Sequence, residues 1–194
     1  AQYSRTIINA ILSLYSTRLV LSTLGVTDYG IFTVVGSVIS MLSFMTSALS
    51  STTQRFLSFN QRKHNESELK KVFSNCLSLH IFLGLLIVVV LMAITPLLFN
   101  GFLNIEAGRE YAAEVVYRLV VIILLLTFIT SPFRALLISR ENIVYISFVD
   151  IIDGVIKVIL VVWLTTVSYD KLITYGFIML SIQVVNFLLM SSFC

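Results

Sequence analysis

The chain is 194 residues long, 58% hydrophobic and only 12% charged, with a mean hydropathy of +0.98. Soluble globular domains are about 45–50% apolar and about 25% charged, so the composition excludes a soluble domain and indicates an integral membrane protein. The formal net charge of +3 is modest, and where the positive residues sit says more than their sum.

Only two prolines and eight glycines occur, among long Leu, Ile, Val and Phe runs. Barrel strands would instead alternate over about ten residues, so the spans are predicted to be helical. The first is expected over about residues 6–24 and the second over about 30–50. Between them, residues 24–30 read as the turn of a membrane hairpin. Gly25 and Gly30 supply left-handed or tight backbone positions, and Asp28 can hydrogen-bond its own turn. In the second span Thr33, Ser37, Ser40, Ser43, Ser47, Ser51 and Gln54 fall within about one third of the helix surface. Two compatible readings fit this stripe: close packing through small residues, and the wall of a water-filled cavity.

Residues 55–71 form the most polar segment, with Arg55, Arg62, Lys63, Lys70 and Lys71 against Glu66 and Glu68. A connection on the cytoplasmic side is expected there. A third span over about 72–99 ends near Pro96, and a fourth over about 115–138 carries Pro132, where a kink is expected. The loop between them holds Glu106, Glu110 and Glu114 against Arg109 and fits the outer face. Arg118 follows Glu114 by one turn in the favourable order for an ion pair. A short turn with Arg140 leads to a fifth span over about 146–167, and the remainder forms a sixth. Arg5, Arg55, Arg62, Lys63, Lys70, Lys71, Arg134 and Arg140 flank one side, while Arg109, Arg118 and Lys171 flank the other. The amino terminus is therefore expected in the cytoplasm. Ala1 in place of Met, and an apolar run still continuing at Cys194, lead to the expectation of an amino-terminal portion cut at both ends.

Charges inside the spans are the candidate functional residues, because a charged side chain in hydrocarbon costs at least about 2.5 kcal/mol and is placed against a cavity or a partner. Asp150, Asp153 and Lys157 share one face of the fifth span with Gly154. An Asp153–Lys157 pair at i, i+4 would neutralise itself. Asp150 then needs a cation from another helix, or takes up a proton. Arg18 in the first span reads as a snorkelling residue or as a phosphate contact through its paired donors. Arg134 extends a stripe of Thr127, Thr130 and Ser131, as an interface anchor or the mouth of a cavity. Neither His64 nor His80 has a ligand cluster around it, and Cys76 and Cys194 suit apolar packing, so no metal site or disulfide is expected.

Taken in order, Arg18, then Leu24-Gly25-Val26-x-Asp28-Tyr29-Gly30-Ile31, then Ser51-Thr52-Thr53-Gln54-Arg55-Phe56, and Pro132-x-x-Ala135 through Glu141-Asn142 resemble the bacterial polysaccharide flippases. These are the O-antigen or lipopolysaccharide repeat-unit translocases of the multidrug/oligosaccharidyl-lipid/polysaccharide exporter superfamily. The chain departs from that pattern at Thr95-Pro96, where a Glu is expected, and at Ser139-Arg140-Glu141-Asn142. The resemblance implies an all-α, polytopic bundle of about six transmembrane helices, the whole chain, residues 1–194, forming the first lobe of a two-lobe exporter.

The expected activity is translocation of an undecaprenyl-diphosphate-linked oligosaccharide from the cytoplasmic to the periplasmic leaflet of the bacterial inner membrane. Arg18, Ser37, Ser40, Ser47, Arg134 and Lys157 are the candidates for the diphosphate and sugar cavity, and the resemblance favours a phosphate role for Arg18. Asp150 and Asp153 are the candidates for H+ or Na+ coupling. The expected partners are the lipid-linked oligosaccharide, the bilayer and polysaccharide-assembly proteins, with no cofactor and no nucleic acid. No Gly-rich phosphate loop, nucleophile elbow or zinc spacing occurs, so the chain is expected to be non-enzymatic. The competing readings are a cation-coupled drug or small-molecule exporter, a membrane glycosyltransferase and a membrane scaffold.

Overall fold

A computed structural model describes residues 2–62, 66–99, 105–106 and 108–193, with the backbone alone for residues 2–5, 8, 9, 38, 39 and 62. Expectations that fall on the Arg5 and Arg62 side chains, Lys63, His64, residues 100–104 and Cys194 lie outside the described residues. The described elements are all helical: α1 Gln2–Arg62, α2 Glu66–Leu97, α3 Glu110–Ser139, α4 Ile143–Leu164 and α5 Lys171–Ser192.

Gly25 divides α1 into two arms, α1a before it and α1b after it, giving six helices among the described residues. Its φ of 83° and ψ of 173° lie in a region open essentially to glycine alone. Ser16 of α1a and Ser40 of α1b nevertheless line one cavity, although they would lie about 36 Å apart along a continuous helix. The chain therefore folds back at Gly25, as the hairpin reading expects. The turn is tighter than expected, however. Gly30 and Asp28 stand in the first turns of α1b, and the Asp28 carboxylate turns away from its own backbone to accept from Arg109.

The polar segment 55–71 also differs from expectation. It is helical over its described residues, with α1b running to Arg62 and α2 starting at Glu66. Glu66 and Glu68 occupy the first turn of α2 and Glu110 that of α3, where the positive end of the helix dipole favours carboxylates. Between α3 and α4, Glu141 takes φ 59°. The Glu141 N–H donates to the Ile138 carbonyl and the Asn142 N–H to the Leu137 carbonyl, which closes α3 as a Schellman turn.

Helix α3 is the hub, packing against α1, α2 and α5 and burying Val116, Tyr117, Val121, Leu124, Phe128 and Ala135. It continues through Pro132 to Ser139. Small residues let its neighbours approach: a Cβ added at Gly84 of α2 would lie 3.1 Å from Phe128, and one at Gly176 of α5 would lie 2.9 Å from Leu119. Tyr117 in turn donates its hydroxyl to the Leu91 carbonyl of α2 at 3.0 Å. On the far side α4 packs against α1 and α5, with Gly154 against Leu12 of α1a.

The stretches Ala10–Ser37, Glu66–Leu97, Glu110–Ser139 and Lys171–Ser192 are long and apolar enough to cross a membrane, the first being the hairpin bent at Gly25. The chain is a multi-pass membrane protein. Its outer surface agrees, since α2 exposes Leu79, Phe82, Leu85, Leu86, Val89 and Val90, a face that hydrocarbon solvates and water does not.

The backbone at Gly25 generates a prediction. Gly25→Ala places a side chain where only glycine is at ease and should lower stability by about 1–3 kcal/mol. Gly30→Ala, in a helical position with open space around its Cβ, should be neutral or stabilise by up to about 1 kcal/mol. Thermal unfolding of the two variants in detergent compares them directly.

Candidate functional site

Two polar cavities lie along α1b, and the hydroxyl stripe lines both. The first, about 350 Å³, is walled by both arms of α1 with α4 and α5. Ser16 and Thr17 come from α1a, Thr33, Ser37 and Ser40 from α1b, Lys157 from α4 and Tyr175 from α5. Among the described residues Lys157 is the one charged residue in this wall. The hydroxyls of Thr17, Thr33, Ser37 and Ser40 donate to carbonyls of their own helices. That leaves their oxygen lone pairs as acceptors toward the cavity. Ser16 differs: it is 2% exposed, and its Oγ has no hydrogen-bond partner among the described residues. The cavity thus presents an ammonium, a buried hydroxyl and a set of acceptors, a combination that suits a ligand carrying both an anionic group and hydroxyls.

The second cavity, about 290 Å³, lies between α1b, α3 and α5, and every described residue lining it is polar. Thr46, Ser47 and Ser50 face Thr130 and Arg134 of α3 and Asn186 of α5. Arg134 does not present a free charge here. Its Nη1 and Nη2 donate to the two carboxylate oxygens of Asp150 at 3.0 and 2.8 Å, a bidentate fork that neutralises both groups and ties α3 to α4.

The charged face of α4 is therefore arranged differently from the i, i+4 pair considered above. Asp153 Oδ2 accepts from Asn186 Nδ2 of α5, and Asp153 Oδ1 is buried without a hydrogen-bond partner among the described residues. No Asp153–Lys157 ion pair forms, because Asp153 is drawn to the amide on α5 while Lys157 extends into the first cavity. Of the two alternatives for Asp150, the cation on another helix is the one found.

Arg18 is exposed and lines neither cavity. It sits two positions from both Ser16 and Val20, about 200° around the helix from each, so the face of α1a that meets the cavity turns Arg18 outward. Ser37 and Ser40 belong to the first cavity and Ser47 to the second, whereas Ser43 and Ser51 are exposed and bond back to their own helix. The sequence reading missed Asn186 and Gln183. Their signal was present as two amides one turn apart in a largely apolar last span. Among the described residues no cluster of His, Cys, Asp or Glu could hold a metal ion.

The two carboxylates of α4 should respond oppositely to removal of their charge. Arg134→Ala or Asp150→Asn strands a partly buried partner and should cost about 3 kcal/mol, while Arg134→Met with Asp150→Leu together should recover most of that loss. Asp153→Asn retains an amide contact with Asn186, relieves an uncompensated carboxylate, and should leave stability unchanged or higher. Unfolding midpoints of the four variants in one detergent test the contrast.

No protein-family model, curated protein or solved structure matches this chain.

Proposed function

We propose that the chain is the amino-terminal lobe of a flippase that moves an undecaprenyl-diphosphate-linked oligosaccharide from the cytoplasmic to the periplasmic leaflet of a bacterial inner membrane. The observation that carries this reading is the Lys157 cavity, a cationic, hydroxyl-lined recess inside a bundle whose outer surface is hydrocarbon-like. An ammonium attracts the diphosphate, acceptor oxygens meet sugar hydroxyls, and the tyrosine and phenylalanine rings of the wall offer faces for sugar rings. The isoprenoid tail stays in the bilayer beside the open side of the groove. The all-polar second cavity extends the path along α1b for further sugar units.

Six spans suit this role. Helix α4 has 22 residues, about 33 Å at the usual rise per residue, against a hydrocarbon core of about 30 Å. Its three charged residues, Asp150, Asp153 and Lys157, face α3, α5 and the cavity, so they do not bar it from the membrane. The Arg55, Lys70, Lys71 and Arg140 end is then cytoplasmic and the Gly25 end periplasmic. A cation-coupled drug exporter would need an acidic recess. The first cavity is lined by one ammonium, and the second by a guanidinium that Asp150 already neutralises, so the walls favour an anionic ligand over a cationic one. Asp153, with its unpartnered oxygen, is the better placed of the two ion-coupling candidates.

Flux of the lipid-linked oligosaccharide in proteoliposomes holding the complete two-lobe protein tests the reading. Lys157→Met and Ser40→Leu should each lower the rate by about tenfold or more at unchanged protein level, as expected for loss of a charge-assisted contact or blockage of the recess. Wild-type flux in both variants overturns the site. In intact cells an impermeant thiol reagent should label Lys171→Cys from outside and leave Lys70→Cys unlabelled; the reverse pattern inverts the topology.

A further inference from the structure

The Lys157 cavity is closed at one end and open at the other. Toward Gly25 its lining residues Val20 and Tyr175 are 2% and 3% exposed; farther from Gly25 the α1b side opens, with Thr33, Ser37 and Ser40 exposed, while Ser16 of α1a stays buried. At the closed end Tyr175 of α5 meets Phe32 of α1b edge-on, with ring centroids 4.7 Å apart.

Both walls of that closed end run into one charge cluster. Asp28 immediately precedes Tyr29, a lining residue of α1b. Asp170 caps α5 about one turn before Tyr175, its Oδ1 accepting from the N–H groups of Leu172 and Ile173. Arg109 joins the two: Nη2 lies 2.6 Å from Asp28 Oδ2 and Nη1 lies 2.5 Å from Asp170 Oδ2. Arg109 is itself fixed to the hub, because its carbonyl accepts the Ala113 N–H in the first turn of α3. A single guanidinium thus pins the hairpin and α5 to α3 above the cavity.

We infer that Arg109 is a latch that keeps the Gly25-end mouth of the Lys157 cavity shut, and that the mouth opens when Arg109 lets go of Asp28 or Asp170. The cluster is built to part. Without the guanidinium, two carboxylates face each other with Glu106 nearby, and like charges at close range repel. Asp28 is buried, and its Oδ1 has no hydrogen-bond partner among the described residues, so the latched arrangement already holds a carboxylate short of solvation. Gly25, three residues before Asp28, can change φ and ψ without a Cβ clash and supplies the hinge.

The latch rests on the flippase reading only for the identity of what passes the mouth, and its test needs no substrate. The full chain, with Cys76 and Cys194 replaced by Ala, is reconstituted in nanodiscs that expose both ends. A sulfonated maleimide then probes Val20→Cys at the closed end, or Ser47→Cys in the second cavity. Arg109→Ala should raise the labelling rate of Val20→Cys by about tenfold or more, as expected when two charge-assisted bonds no longer hold the closed population, with no change at Ser47→Cys. Arg109→Lys, which keeps the charge but loses the fork, should fall between the two. If Arg109→Ala does not accumulate, Asp170→Asn, which keeps a capping side chain and weakens the bridge, is read in the same way. An unchanged rate at Val20→Cys, or an equal rise at both reporters, overturns the latch. Labelling that responds while the complete two-lobe protein moves no lipid-linked sugar in proteoliposomes would leave the latch standing and count against the flippase; intact flux with unresponsive labelling would do the reverse.

Discussion

In hydrocarbon a polar group has to find its partner within the protein, and most of this structure follows from that constraint. The backbone meets it by being helical. The hydroxyls of Thr23, Thr95, Thr127 and Thr130 meet it by donating to carbonyls one turn back. Arg134 and Asp150 meet it by pairing across α3 and α4, and Asp153 does so in part through Asn186. Lys157 has no ion pair among the described residues and sits instead in the wall of a cavity. The arrangement separates the charges that hold helices together from Lys157, which lines a cavity.

The cavities exist because the hairpin folds back on α4 and α5 while α3 keeps α1b at a fixed distance. Close approach at Gly84 and Gly176 draws α2 and α5 onto α3, so that side of the bundle is tight. On the other side the small hydroxyl residues of α1b leave volume unfilled, and the volume is polar because the residues that create it are. A stripe of leucines in the same places would have filled it. Under the proposed function, the same substitution of small for large side chains that weakens packing creates the path for the sugar.

Arg109 illustrates how the ends of such a bundle are controlled. The residue lies immediately before α3, where water can reach its 36% exposed side chain, yet one of its two carboxylate partners is only 6% exposed. A bond spanning that boundary is stronger than a surface ion pair, which typically contributes about 0–1 kcal/mol, and less permanent than a fully buried one. Such intermediate strength suits a contact that forms and breaks during a cycle.

Composition and periodicity alone determined the membrane class, the helical character, the Gly25 hairpin and the polar stripe of α1b, because each depends only on near neighbours in the chain or on totals along it. They also located the intramembrane charges, since a charged residue within an apolar run is visible without a structure. Partner choice was decided only by tertiary structure. Asp150 is sixteen positions from Arg134 and Asp153 thirty-three from Asn186, and nothing in the local pattern ranks those partners above Lys157, one helical turn from Asp153 and two from Asp150. Arg18 shows the same limit from the other side. Its chemistry suited a phosphate, but the rotation of α1a about its axis, set by the packing of Leu12 on Gly154, turned it out of the cavity and brought Ser16 in. Spacing along a chain tells which residues share a helix face; which face meets which neighbour is settled by the fit of side-chain volumes between helices, and no single segment carries that information.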